Sequence, residues 1–236
     1  MERLKLLWGR DYCSDLVLSG CLILVFIISI LKRKQHPQFR FLPYYFFSFI
    51  LLQIIFYSYY LIPEGSHLIR KNLFIRRYLD ILVTIIEFLS FMYFFHSILK
   101  ELRRKLLTKR ISQVVLVVAI FIIVKFIIPA GYDNYQATTV IYLFASLALL
   151  PPCYFYYQEL ITHEQGMELL ESANFWAASG IAFYSLCTLP TTLVLNYFYS
   201  TDFKVYQSIF SIINVFYVVL ILMVCKSYFC KNTKLV

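Results

Sequence analysis

The chain predicts an all-α, polytopic membrane fold of seven transmembrane helices, with the N-terminus outside and the C-terminus in the cytoplasm. Three observations carry that prediction. Apolar residues make up 61% of the 236 residues and charged residues only 15%, against about 45–50% and about 25% in soluble domains. Seven apolar runs, near 15–31, 41–62, 78–99, 112–130, 137–157, 174–198 and 205–225, fill most of the chain. Each approaches the roughly 20 residues of helix needed to cross about 30 Å of hydrocarbon. The runs are continuous rather than alternating, which selects helices over a closed β-barrel. The connections leave no room for a soluble domain, so residues 1–236 read as one seven-helix unit.

The first run follows a segment carrying both charge signs and lacks a small-x-small cleavage site, so it is expected to stay as helix one. The second opens near Pro43, a position where proline is tolerated in a first helical turn. The third holds Asp80, Glu87 and His96; the fourth ends at Pro129 and Gly131. In the fifth, Pro151–Pro152 removes two backbone donors and predicts a kink, and Pro190 predicts a bend in the sixth. Connection five, 158–173, carries Glu159, Glu164, Glu168 and Glu171 among apolar residues. It reads as helical, either extending helix five or lying at the interface.

The net charge of +9 sits at helix ends, in Lys32, Arg33, Lys34 and Arg40, in Arg70, Lys71, Arg76 and Arg77, and in Arg103, Arg104, Lys105, Lys109 and Arg110. Placed so, it reads as topology and headgroup contact rather than nucleic-acid binding. Lys and Arg favour the side of connections one, three and five and the tail, which sets the expected orientation. The expected partners are the lipid bilayer and a cytosolic protein meeting 100–111, 158–173 and the tail. Self-association is compatible with this plan. The 23 Phe and 20 Tyr are expected at lipid contacts and in the interfacial belt.

Ionisable groups within a span are the first candidates for chemistry, because each is expensive there unless paired or hydrated. Asp80 and Glu87 are seven residues apart and share a helix face, with Thr84 between them and Ser90 beyond. In an antiparallel neighbour, Lys125 falls between them in depth, about 6 Å of rise from Glu87. An ion pair of Lys125 with Glu87 or Asp80 is therefore expected, either fixing helix register or lining a polar cavity. Ser179 and Gly180, with Ala177, Ala178 and Ala182, form a small-residue patch suited to close helix approach. Asn214 is the neutral side chain most costly to leave facing lipid.

Catalytic patterns such as HExxH, GxSxG with a histidine partner, Gly-rich phosphate loops and CxxC do not occur. No metal, cofactor or enzymatic activity is expected. Glu87 followed by Phe91, Tyr93, Phe94, Phe95 and Lys100, then Phe175, Trp176, Gly180, Phe183, Tyr184 and Thr188, then Ser211, Ile212, Ile213 and Asn214, make a further pattern. It resembles bacterial seven-helix membrane proteins similar to the sensory membrane regions of some histidine kinases. The resemblance implies a receptor-like or signalling subunit that passes its output to a separate protein. The alternatives are a channel-forming or membrane-perturbing effector with a cytosolic partner, for example in antiphage defence, and a small-solute transporter.

Overall fold

In the computed structural model of the protein, residues 13–58, 67–127, 135–163, 169–201 and 203–230 are described. They form seven long helices: α1 (Cys13–Lys32), α2 (Leu42–Ser58), α3 (His67–Ile98), α4 (Leu102–Ile122), α5 (Tyr135–His163), α6 (Ala173–Thr201) and α7 (Phe203–Phe229). Helix α4 continues into a π-helical turn, Ile123–Ile127, and 3-10 turns occupy Pro37–Phe39 and Leu169–Glu171. Six segments are long and apolar enough to cross a membrane: 37–55, 78–98, 102–125, 139–162, 173–195 and 208–229. Helix α1 adds a shorter apolar stretch, Leu16–Lys32. Bilayer hydrocarbon offers no partner to backbone N–H and C=O groups, so these runs satisfy them within the helix.

Two connections expected from the sequence are helical instead. Helix α3 begins at His67, about ten residues before the apolar run, and α4 begins at Leu102, ten residues early. Both extensions are rich in Leu, Arg and Lys and free of Gly and Pro, so helix propensity carries the helix beyond its apolar part. The connection between α3 and α4 shrinks to 99–101. Helix α5 runs to His163 through Pro151 and Pro152, and α6 runs through Pro190. Pro43 stands second in α2. The expected helix end at Pro129 and Gly131 and the acids Glu164 and Glu168 lie outside the described residues.

The packing order makes a ring. Helix α1 lies against α2, α2 against α3, α3 against α5, α5 against α6, α6 against α7, and α7 returns to α1. Helix α4 sits outside, in the groove between α3 and α5. Its outer face exposes Val114, Val117, Ile120 and Phe121, side chains that suit lipid and not water. The ring's interior is filled by rings, with Phe46, Phe91, Phe94 and Phe95 fully buried.

The α6–α7 contact is the most extensive of all. Gly180 makes it possible: a Cβ there would stand 3.0 Å from Met223 Cβ and 3.4 Å from Leu220 Cδ1. Ser179, its neighbour, turns to α5, where its Oγ lies 2.7 Å from the Tyr157 hydroxyl. The α1–α2 connection also packs inward. His36 and Phe39 are buried, their rings 5.6 Å apart, and Tyr228 of α7 meets them edge-on at 5.7 and 5.1 Å.

Two outcomes follow from these contacts. Gly180→Val forces a branched side chain against Met223, and its unfolding free energy in detergent should fall by about 1–3 kcal/mol, read as a lower Tm. Burial holds the His36 imidazole below its usual value, with Lys32 adding to the effect and the Tyr228 carbonyl partly offsetting it. A depressed imidazole stays neutral in the folded chain while the unfolded chain protonates, so stability is lost as pH falls below about 6.5. The Tm of wild type should therefore drop more steeply on acidification than that of His36→Phe, which keeps the stacked ring; parallel curves would contradict it.

Candidate functional site: a carboxyl among tyrosines

Glu87 lies on α3 eleven residues from Ile98, about 16 Å of helix rise, close to the middle of a 30 Å hydrocarbon layer. The side chain is buried, 5% exposed. It points into the ring rather than toward α4. The Tyr217 hydroxyl of α7 donates a hydrogen bond to Oε2 at 2.9 Å. Tyr184 of α6 approaches the same carboxyl without completing a bond to Oε1, which has no hydrogen-bond partner. Tyr45 of α2 lies within electrostatic reach of Glu87. One carboxyl on α3 is thus bonded to α7 and faced by tyrosines of α2 and α6.

Aromatic packing fixes that arrangement. The Tyr184 and Tyr217 rings are 4.6 Å apart, and Tyr217 lies 5.2 Å from Phe49. Tyr45 meets Phe91, one turn beyond Glu87, at 5.6 Å in an edge-on contact. Such pairs lock ring positions and add stability beyond their buried area. These tyrosines are expected from the sequence at lipid contacts and interfaces; the structure buries three of them around the acid instead.

The other expected site residues divide. Thr84 and Ser90, part of the predicted polar stripe, turn their hydroxyls back to the carbonyls of Asp80 and Ile86, a local satisfaction that leaves no polar face. Asp80 is half-buried on α3, two residues into the apolar span that starts at Tyr78. Asn214 is buried one turn ahead of Tyr217. Lys125 is exposed on the π-helical turn of the peripheral α4, where a long stem can carry its ammonium to the headgroups. The expected Lys125–Glu87 pair does not form: the acid faces α7, and α4 lies outside the ring. Pro190 is followed by Thr191 and Thr192, whose hydroxyls bond the carbonyls of Cys187 and Thr188.

A second carboxyl does structural work that the sequence reading placed in an acidic connection. Glu159, 6% exposed on α5, accepts the backbone N–H of Lys100 at 2.8 Å and of Glu101 at 3.2 Å. Arg104 lies 3.8 Å from its Oε1 and donates to the Phe155 carbonyl at 3.0 Å. The acid caps the start of α4 from a neighbouring helix, at the positive end of the helix dipole. Its partners lie 59 and 58 residues away in the sequence, which leaves no local signal.

No protein-family model, curated protein or solved structure matches this chain. Fold and site therefore define the class: an all-helical bundle of membrane-spanning length with a buried carboxyl–tyrosine centre.

Glu159→Ala leaves the N–H groups of Lys100 and Glu101 without their acceptor, while Arg104 keeps Glu101 and the Phe155 carbonyl, and should destabilise by about 1–3 kcal/mol. Glu159→Gln keeps one acceptor oxygen and should lose less. Thermal unfolding in lipid nanodiscs checks the order, and equal losses would contradict the capping role.

Proposed function

We propose that the protein is a receptor-like or signalling subunit of the bacterial inner membrane, without catalytic machinery of its own, working through a separate cytosolic protein. The N-terminus lies outside, and the end holding the 33–41, 99–101 and 169–172 segments faces the cytoplasm, as the Lys and Arg balance favours. The carrying observation is the Glu87 carboxyl at the junction of four helices, one of its oxygens without a partner. A change of charge or occupancy at that point acts on α2, α3, α6 and α7 together. The resemblance to sensory membrane regions of histidine kinases supports the same reading.

The route outward follows α3. Its Ile98 end leads straight into the turn held by Glu159 and then into the exposed basic residues Arg103, Lys109 and Arg110 of α4. A displacement of α3 therefore reaches a charged surface five residues on, at Arg103. The aromatic filling of the ring speaks against a conducting path through a single bundle.

The test uses the full chain in native membranes, with a photo-crosslinking residue at Lys109 or Arg110. A cytosolic protein should be captured, and Glu87→Gln, twenty-two residues away and buried, should change its yield severalfold. Capture indifferent to Glu87 would count against signal transfer. Dye or ion release from proteoliposomes of wild-type protein would replace the reading with a channel.

A further inference from the structure

We propose that Glu87 is a proton-binding site, taking up a proton on Oε1 and turning it toward Tyr184 while Oε2 keeps its hydrogen bond from Tyr217. This rests on the reading of the carboxyl–tyrosine cluster as the receptive centre, and names its ligand. The argument is geometric. A bare carboxylate at this depth has one phenolic donor and, among the described residues, no lysine, arginine or histidine beside it. An ionised carboxylate buried without a countercharge is costly enough that such groups neutralise instead.

The cluster also has the correct donors and acceptors for the acid form. A carboxylic acid carries one O–H donor and one carbonyl acceptor. Oε2 is occupied as an acceptor, and Oε1 is the oxygen left without a partner. The facing ionisable groups are Tyr45 from α2, Tyr184 from α6 and Tyr217 from α7, with Tyr142 from α5 within electrostatic reach of these tyrosines. All are phenols, which can pass or share a hydrogen without supplying positive charge. The step is a simple transfer: an O–H bond forms at Oε1, one breaks in hydronium, and water leaves. Losing the proton places a negative charge among aromatic rings at a four-helix junction, so release favours separation of α3 from α6 and α7, or entry of water.

Infrared difference spectroscopy of the full chain in lipid nanodiscs tests this through the C=O stretch of a protonated carboxyl. The expected result is a band that disappears as pH rises and is missing from Glu87→Gln. Tyr217→Phe removes the hydrogen bond to Oε2 and should shift both the frequency of the band and its midpoint. Where Glu87→Gln fails to fold, Glu87→Asp and Tyr217→Phe serve in its place, and each should move the band or its midpoint. A titrating band unchanged in all the variants that fold would overturn the proposal. So would loss of the band when sodium replaces choline at fixed pH and ionic strength, which would assign the site to a metal cation. The spectrum needs no partner protein, and the crosslinking needs no pH change. A titrating Glu87 with indifferent capture removes the signalling reading alone, and the reverse removes the proton site alone.

Discussion

In hydrocarbon every polar atom must find its partner inside the protein, and that constraint organises this molecule from backbone to centre. The hydroxyls of Ser29, Ser48, Thr84, Ser90, Ser97, Thr108, Thr188 and Ser227 all bond carbonyls of their own helices, three or four residues back. Those bonds remove polarity locally and leave smooth surfaces to pack. What remains are groups too large or too charged to be settled that way. Glu159 is settled by the start of a neighbouring helix. Glu87 is settled on one oxygen only, across the ring, by α7. Glu159 and Glu87 are thus places where separate helices are tied to one another.

Tight packing and polar ties divide the work. Gly180 lets α6 and α7 approach until Met223 and Leu220 lie against its backbone. That closeness places Tyr184 and Tyr217 in ring contact, and their hydroxyl ends at a single acid. At the opposite corner, the inward α1–α2 connection supplies Phe39 against Phe94 at 5.4 Å, and Gln38 reaches Asn174 at 3.3 Å. Small residues and large rings thus alternate across the bundle, and the carboxyl sits where the rings converge.

Hydropathy made the spans legible, because the length of an apolar run is a one-dimensional quantity that lipid measures directly. It left helix ends unreadable at His67 and Leu102, where a basic segment without Gly or Pro stays helical beyond the apolar run. Glu87 was legible as a candidate, since an acid in the middle of an apolar run stands out in any reading. Its surroundings were not. Antiparallel adjacency of α3 and α4 pointed to Lys125, but α4 leaves the ring, and the partner came from Tyr217, 130 residues further along. Twenty tyrosines in the sequence offer no mark that separates a belt tyrosine from Tyr45, Tyr184 or Tyr217. That distinction depends on which face of a helix meets the centre, and only the packing order decides it.

The closure of the ring by α7 against α1 has a consequence for biogenesis. Helices emerge from the ribosome in sequence, so Glu87 enters the bilayer long before Tyr217 has been made. Through the synthesis of α4, α5 and α6 the acid must be tolerated by lipid, water or the insertion machinery. Arrival of α7 both seals the bundle and shields that acid, which makes late assembly cooperative. A nascent chain halted before α7 exposes a polar lesion at mid-depth, the kind of defect that membrane proteases and chaperones recognise.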